Sequence, residues 1–293
     1  MRDGKGVGAC VSALCVSLVV LGAVFLLLTL YLKGFGHTNP AEAVKNDVPA
    51  APVEAVEEQS LAWVLLGCKA EGDEPACILA GYYDAVAGSL SAVVIPPAAV
   101  VTQAGRTDTF TGHYDYEGVR GVVHAAAALL DTDILRYFRV TSQDVSELTD
   151  LLGGVSYTLD GDVTADGQRF LAGDQLLDGR RLSAFLFDTS RLGVPDTVLQ
   201  ADLTGRLFFS GMSAELSPRM GKLTGLLLGE CETNLSQYDF VRREEAFRGL
   251  LDTASLQTKV IPLEGSYNLD FSIFTPETAS LDAAQALFPH SIA

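Results

Sequence analysis

The stretch Leu61-Ala-Trp-Val-Leu-Leu-Gly67 decides the fold of this chain, because it has the pattern of the first strand of a buried sheet. A short apolar run that ends in glycine is typical of a strand covered on both faces. Two similar runs follow at 77–83 and 90–95, and Pro96-Pro97 ends the second of them, since proline cannot donate a hydrogen bond within a sheet. These three runs predict neighbouring strands at the centre of one domain.

Helical patterns alternate with these strands and with later ones. Apolar residues recur at helical spacing over 117–130, and Ser142 is expected to cap a second helix that ends at Gly153-Gly154. The remaining segments are predicted as strands at 136–140, 155–159 and 259–262, and as mostly helical at 195–229 and from 234 onward. Strands that alternate with helices predict an α/β layered domain.

An uncharged segment precedes the domain at 9–32. At ~1.5 Å per residue, a helix of this length spans roughly 36 Å, enough for a hydrocarbon core of ~30 Å. Arg2 and Lys5 precede it and the acidic remainder follows, so the positive-inside rule favours a cytoplasmic N-terminus. The segment is longer than the apolar part of a cleavable signal peptide. We therefore predict a cytoplasmic tail at 1–8, one transmembrane helix at 9–32, an extracellular stalk at 33–60 and a domain at 61–293.

Composition excludes some functions. The chain has 20 Lys and Arg residues against 37 Asp and Glu, a net charge of −17, which repels nucleic-acid phosphates. The sequence has no GxSxG, P-loop or HExxH motif and no Cys/His metal quartet, and its four histidines are scattered. A disulfide between Cys68 and Cys77 is geometrically conceivable, but Cys231 would then be left over, and buried free thiols are the preferred interpretation.

Several segments, in order, resemble the LytR-CpsA-Psr family of cell-envelope proteins. No single segment is specific to the family. The order and the spacing of the segments, from about residue 61 to residue 288, carry the resemblance. The matching segments are Trp63-Val-Leu-Leu-Gly67, Leu90-Ser-Ala-Val-Val-Ile-Pro96, Tyr114-Asp-Tyr-Glu-Gly118, Tyr137-Phe-Arg-Val140, Leu148-Thr-Asp-Leu-Leu-Gly-Gly-Val155, Leu177-Asp-Gly-Arg-Arg-Leu182, Glu232-Thr-Asn-Leu235 and Ile261-Pro262.

The resemblance implies a fold and a reaction. The fold is an α-β-α sandwich around a mixed central sheet, with an apolar tunnel that holds a polyprenyl chain. The reaction transfers a glycopolymer from a polyprenyl-pyrophosphate carrier to peptidoglycan. It needs arginines that clamp the pyrophosphate and aspartates that hold Mg²⁺.

This chain departs from the family at those charged positions. Lys69 stands in place of the aspartate of the family's Gly-x-Asp motif, and Pro97 and Ala98 replace the arginine and aspartate of its Ile-Pro-Arg-Asp motif. The Arg-Ser-Asp-Thr motif is replaced by Glu74-Pro-Ala-Cys77. A buried pyrophosphate without cationic partners is costly, so the sequence predicts no catalytic residue of the family type, no metal ligand and no cofactor.

Two sets of residues are the candidates for binding. A relocated pyrophosphate site would use Lys69, Arg106 and Arg181, although ordinary surface charge is the simpler interpretation. A retained lipid tunnel would be lined by apolar residues of mixed size, although plain core packing gives the same pattern. These tunnel candidates are Val93, Ile95, Val122, Val123, Ala126, Leu129 and Phe138.

Two hypotheses follow. The first is a membrane-anchored, catalytically degenerate domain that binds a polyprenyl lipid or a partner, such as an active family member or another cell-wall assembly protein. The second is an active phosphotransferase with a rebuilt, Mg²⁺-dependent site. A role in transcription is disfavoured by the predicted membrane helix and the negative charge.

Overall fold

The computed structural model describes residues 59–188, 194 and 196–289. The predicted tail, the predicted membrane helix and all but the last two residues of the predicted stalk lie outside these residues. Among the helices that the structure describes, none is long and apolar enough to cross a membrane.

Fourteen strands and eight α-helices are described. The strands are β1 (Leu61–Cys68), β2 (Pro75–Asp84), β3 (Ser89–Ile95), β4 (Val100–Gln103), β5 (Arg106–Thr109), β6 (Arg136–Thr141), β7 (Val155–Leu159), β8 (Val163–Ala165), β9 (Gln168–Phe170), β10 (Gly173–Leu177), β11 (Glu232–Thr233), β12 (Gln257–Pro262), β13 (Gly265–Tyr267) and β14 (Phe274–Pro276). The helices are α1 (Phe110–Glu117), α2 (Val119–Leu130), α3 (Ser142–Leu152), α4 (Gly179–Leu186), α5 (Thr197–Gly211), α6 (Met220–Gly229), α7 (Gln237–Asp252) and α8 (Thr278–Gln285).

Six strands form a central mixed sheet in the order β11-β6-β1-β2-β3-β12. β1 pairs antiparallel with β2 and parallel with β6, while β3 pairs antiparallel with β2 and parallel with β12. Four two-stranded sheets surround it. The predicted α/β fold with a mixed central sheet is confirmed, and each strand predicted from apolar runs is present.

Side chains alternate across this sheet, as the two-residue period of a strand requires. Along β1, Val64 and Leu66 point to the face that α2 and α8 cover, whereas Trp63 and Leu65 point to the opposite face. Helices therefore lie on both faces, with α3, α5 and α7 on the second one. We call the two sides the α2 face and the α5 face.

Two helix boundaries differ from the prediction. The helix expected at 117–130 begins two residues later, at the start of α2, because Gly118 has φ 63° and ψ −145° and interrupts the helical backbone; the preceding helix α1 was not predicted. Ser142 does not cap α3. Thr141 does, through a capping box in which its hydroxyl accepts from the backbone N–H of Asp144 while the Asp144 carboxylate accepts from the N–H of Thr141.

The end of α3 follows the prediction. Gly153 takes a left-handed conformation with φ 95° and ends the helix, and β7 begins two residues later. Helix α7 starts slightly later than expected, because Ser236 caps it through a second capping box with Asp239.

Candidate functional site: an apolar cavity beneath the sheet

A cavity of about 270 Å³ lies on the α5 face of the sheet, and we call it the apolar cavity. Alternate residues of β1 line it from Leu61 to Gly67. At ~3.3 Å per residue it therefore follows the strand for roughly 20 Å. Helices α3, α5, α6 and α7 supply most of the remaining wall. An elongated space with an almost wholly apolar lining fits an apolar ligand.

Aromatic rings and glycines shape the wall on the sheet side. The Trp63 ring lies over Gly81 of β2 so closely that a Cβ at Gly81 would come within 2.2 Å of it. Trp63 also meets Phe138 of β6 edge to face, with ring centroids 6.1 Å apart. Tyr83 meets Phe247 of α7 in the same manner at 5.4 Å. The Trp63 contacts lie within the sheet, on neighbouring strands, whereas the Tyr83–Phe247 contact joins a strand to a helix.

One end of the cavity carries its charged residues. Asp239, Arg243 and Glu244 of α7 line this end together with Tyr83. Arg136 Nη2 lies 3.3 Å and Arg243 Nη1 3.6 Å from Asp239 Oδ1. Arg243 Nε also donates to the Gln59 carbonyl at 2.8 Å. The chain therefore enters the domain beside this end.

Asp239 and Tyr83 at this end have shifted pKa values. Burial raises the pKa of Asp239, but hydrogen bonds from Ser236 and Arg136 outweigh it, so the net pKa lies below the usual range. Burial raises the pKa of Tyr83, and its hydroxyl is buried without a hydrogen-bond partner among the described residues. A buried orphan hydroxyl next to a cavity is open to a polar group of a ligand.

A second cluster lies at the ends of β1 and β6, beside the positions where the family motifs were matched. Arg139 Nη1 donates to Glu232 Oε2 and Nη2 donates to the Asp73 carbonyl, both at 3.3 Å. The Tyr114 hydroxyl donates to the same carbonyl at 3.4 Å. Burial raises the pKa of Cys68, although the adjacent Arg139 opposes it. The mostly buried guanidinium is thus paired with an exposed carboxylate of the protein.

Sequence reasoning missed Arg139. In the sequence, the only indication is that an arginine stands within a short strand pattern. In the structure, the Arg139 side chain is only 10% exposed. Glu232, its ionic partner, lies 93 residues further along the chain. No local motif connects the two.

The three predicted pyrophosphate residues bind local partners in separate elements. Lys69 Nζ pairs with Asp166 Oδ1 at 2.7 Å in the turn between β8 and β9. Arg106 pairs with Asp108 Oδ2 at 2.5 Å, and its guanidinium lies 4.3 Å from the centre of the Tyr116 ring. Arg181 donates to the Leu176 carbonyl at 3.3 Å. Within the described part of the chain, no hydrogen bond or ion pair joins any of the three to another.

Of the predicted tunnel residues, only Phe138 lines the apolar cavity. The other six are packed in the core on the α2 face, each at most 7% exposed. They are Val93, Ile95, Val122, Val123, Ala126 and Leu129. The cavity lies on the α5 face, so the residues that line it on β1 and β2 are the alternate ones, including Trp63, Leu65 and Leu79.

The cysteines that the structure describes, Cys68, Cys77 and Cys231, are buried free thiols, as the preferred interpretation had it. Cys77 lines the apolar cavity, and burial raises its pKa to about 12.

The residues at the family's metal positions do not fit a magnesium ion. Lys69 carries the wrong charge and is paired with Asp166, and Ala98 has no side-chain donor atom. Over residues 59–188 and 196–289, no group of three or more His, Cys, Asp or Glu side chains is arranged to hold a metal.

Sequence comparison finds relatives with a cell-wall activity in their names, although no family model matches the chain. It is 24% identical over 196 residues to the polyisoprenyl-teichoic acid–peptidoglycan teichoic acid transferase TagU of Bacillus cereus, covering 64% of this chain and 62% of that protein. It is 23% identical over 260 residues to TagU of Bacillus mycoides, covering 84% and 83%. The chain thus spans somewhat under two thirds of the first relative.

Solved structures share the fold. A protein from Eubacterium siraeum superposes with a TM-score of 0.70 at 17% identity, over 85% of this chain and 98% of that one. TagT bound to LIIa-WTA superposes with a TM-score of 0.59 at 17% identity, over 86% and 94%. The mixed sheet, the order of the matched segments and these relatives agree with one another. The sequence matches and the shared fold support a LytR-CpsA-Psr domain in this chain.

Proposed function

We propose that this chain acts in cell-envelope glycopolymer assembly as a degenerate LytR-CpsA-Psr domain that binds a polyprenyl lipid in the apolar cavity. The observation that carries the proposal is that an apolar cavity is present, while the charged residues of the family motifs are replaced in this chain. The relatives named TagU act, by their names, on a polyisoprenyl-linked teichoic acid. A polyprenyl chain is a long, flexible hydrocarbon, and the cavity follows β1 for roughly 20 Å.

The charged end supports an orientation for this lipid. Tyr83 and Arg243 lie at that end, and the rest of the wall is almost wholly apolar. A lipid phosphate or alcohol would lie near the Tyr83 hydroxyl, while the hydrocarbon would fill the space between β1, α3 and α5. Asp239 and Glu244 weaken attraction for a doubly charged pyrophosphate at this end.

The residues at the motif positions support a loss of catalytic activity. Lys69 and Arg139 are each tied to a carboxylate of the protein, and Glu74 adds negative charge where the family has an arginine. Removing one charge clamp from a phosphoryl-transfer site can cost ~10³-fold or more in rate. We therefore expect no transfer of glycan from a lipid-linked donor by the purified protein.

Thermal unfolding of the full-length protein in detergent tests this proposal. The melting temperature is measured with polyprenyl pyrophosphate, with a polyprenyl alcohol of equal length and with inorganic pyrophosphate, each with and without Mg²⁺. We expect both lipids to raise it without Mg²⁺, since a ligand at 100 times its Kd adds ~2.7 kcal/mol of stability, and inorganic pyrophosphate to have no effect.

A rise confined to the pyrophosphate lipid in the presence of Mg²⁺ would contradict degeneracy and favour a rebuilt transferase site. In that case Arg139→Gln should abolish the rise, because Arg139 is the buried arginine at the motif positions. No rise with either lipid would refute the lipid proposal and leave a protein partner as the ligand of this domain.

The membrane arrangement is part of the same proposal. A helix at 9–32 would hold the domain outside the cell with the N-terminus in the cytoplasm, close to the bilayer from which a polyprenyl lipid must come. Proteinase treatment of intact spheroplasts should digest the domain while a tag placed before Arg2 survives. Protection of the domain would reverse the topology.

A further inference from the structure

The hairpin formed by β13 and β14 ends in an exposed apolar turn. Leu269 is fully exposed, and Phe271 and Ile273 are 42% and 43% exposed. We call residues 268–273 the hairpin tip, and none of them lines the apolar cavity. A single exposed apolar side chain is ordinary, whereas three large ones within five residues of one turn mark a candidate interaction surface.

The hairpin tip has a strained backbone. Phe271 has φ 58°, a left-handed value that a bulky residue rarely adopts and that glycine or asparagine adopts more readily. Its ring lies against Tyr267, with centroids 5.5 Å apart, and Tyr267 in turn meets the buried ring of Phe274 at 5.0 Å. The exposed phenyl ring thus stands at a position where the backbone conformation alone favours a smaller residue.

The polar groups of the hairpin tip are bonded within the tip. The Asn268 N–H donates to the Ile273 carbonyl at 3.0 Å, the Ile273 N–H donates to Asn268 Oδ1 at 3.0 Å, and the Phe271 N–H donates to the Asn268 carbonyl at 3.1 Å. The Ser272 N–H and hydroxyl donate to Asp270 Oδ1 at 3.1 and 2.6 Å. A backbone that enters an apolar medium must satisfy its hydrogen bonds internally. A protein partner supplies donors and acceptors of its own, so this internal bonding favours a lipid environment.

The hairpin tip and the point where the chain enters the domain lie at opposite ends of the central sheet. β1 and β3 run in the same direction, and β12 runs parallel to β3 and leads into the hairpin. The seven residues of β3 span roughly 23 Å. The predicted stalk has 26 residues before Gln59, which can reach at most about 90 Å. A stalk of that length allows the far end of the sheet to face the membrane.

We propose that the hairpin tip inserts into the surface of the lipid bilayer, with Leu269 and Phe271 among the upper acyl chains and Asp270 at the level of the headgroups. The inference rests on the proposed membrane anchor, because the anchor keeps a bilayer within reach of the tip. Shallow insertion needs only exposed apolar side chains and no complementary pocket. It would turn the ends of β1 and β3, where the family motifs were matched, toward the membrane.

The charge around the hairpin tip determines which lipids it accepts. Between residues 260 and 289 the chain has four acidic residues and no lysine or arginine. Hydrogen bonds from Ser272 hold the pKa of Asp270 below its usual range, so its carboxylate is ionised at neutral pH. Anionic headgroups therefore repel the tip, and a zwitterionic surface is the expected partner.

A fluorophore at the hairpin tip tests the proposal in full-length protein reconstituted into phosphatidylcholine vesicles. Leu269→Cys carries an environment-sensitive dye, and some lipids carry a quencher high on the acyl chain. Val86→Cys is the matched control, since Val86 is 55% exposed in the turn at the opposite end of the sheet. We expect the dye at position 269 to emit at shorter wavelength and to lose most of its intensity, and the dye at position 86 to be unaffected. The unsubstituted protein, labelled in the same way, gives the background from native cysteines.

A second substitution separates insertion from folding. Phe271→Asn places a residue that tolerates positive φ at this position, so the melting temperature in detergent should be unchanged or higher. Quenching of the dye at position 269 should nevertheless be largely lost, because the phenyl ring is gone. Adding phosphatidylglycerol to the vesicles should weaken the quenching at low salt, and raising the salt concentration should restore it.

Vesicle flotation distinguishes a failure of the hairpin proposal from a failure of the anchor. Protein that floats with the vesicles but shows no quenching at position 269, or equal quenching at positions 86 and 269, would overturn the hairpin proposal and leave the anchor intact. Quenching that Phe271→Asn does not reduce would overturn it as well. Protein that does not float would contradict the anchor and the insertion together.

Discussion

The two faces of the central sheet use the same types of apolar residue but are filled differently. On the α2 face, Val64, Leu66 and Ile95 are fully buried in a continuous core. On the α5 face, Trp63 and Leu65 from the same strand line a cavity of about 270 Å³. The alternation of side chains along a strand thus assigns each residue to one face of the sheet. It does not determine whether the helices covering that face pack closely against it or leave a cavity.

The difference has a cause in the covering helices. Helix α2 presents Ala125 and Ala126, both fully buried, so it can approach the sheet closely. On the other face, the Tyr83–Phe247 ring pair joins strand β2 to helix α7, and the large rings of Trp63 and Phe138 project from neighbouring strands. Large rings at a few points hold the helices away from the strands and leave space between those points.

The largest expected effect comes from changing the contact under Trp63. Gly81→Ala places a Cβ within 2.2 Å of the indole, and the overpacking should cost about 3 kcal/mol of unfolding free energy. Gly205→Ala is the control, since its Cβ meets Val260 at an ordinary 3.6 Å and alanine favours a helix by about 1 kcal/mol. Urea unfolding measures both, and equal stability of the two variants would contradict this account of the α5 face.

A matched pair of substitutions compares the faces directly. Val122→Phe enlarges a fully buried side chain of the packed α2 face and should cost about 2 kcal/mol. Val145→Phe projects into the apolar cavity and should cost less than about 1 kcal/mol. Val145→Phe should also abolish the rise in melting temperature with polyprenyl alcohol, whereas a comparable cost at both positions would mean that the cavity closes in solution.

A smaller effect is expected at the charged end. Asp239→Asn weakens the capping box of α7 and the pairs with Arg136 and Arg243, at a cost of about 1 kcal/mol. The folded pKa of Asp239 is below its unfolded value of about 3.9. Its contribution is therefore present above pH ~4 and is lost as pH falls through the folded pKa. Urea titrations between pH 2 and 6 should show the variant and the parent converging at the acid end, and a constant difference would exclude the linkage.

The last prediction concerns the reactivity of a thiol in the cavity wall and involves no change in stability. Burial raises the pKa of Cys77 to about 12, so at pH 8 only roughly one thiol in ten thousand is ionised. Iodoacetamide should modify it about a thousandfold more slowly than an unfolded-state cysteine, as mass spectrometry of the digested protein would show. Rapid modification of native Cys77 would mean that the cavity admits water and opens readily.

The strand and helix framework was largely predictable from local pattern. The apolar runs at 61–67 and 90–95 are strands of the sheet, and Gly153 ends α3 as expected. Helix α1 and the break at Gly118 were not predicted, because the apolar spacing that indicated α2 begins only at Val119 and the break depends on the positive φ of Gly118.

The candidate site was less predictable. Val93 and Val94 are identical residues on opposite faces of β3, and nothing local says which face is hollow. That depends on helices more than 50 residues away. The compensation of Arg139 by Glu232 likewise joins segments that only the fold brings together.

Trp63 gives the α5 face an intrinsic optical reporter. It is the only tryptophan of the chain, and its ring lies in the wall of the apolar cavity. Its fluorescence emission therefore reports on that compartment alone, without labelling or mutation. A hydrocarbon that enters should shift the emission to shorter wavelength, and a brominated analogue should quench it by contact. The affinity and the stoichiometry of any apolar ligand can thus be read from the unmodified protein.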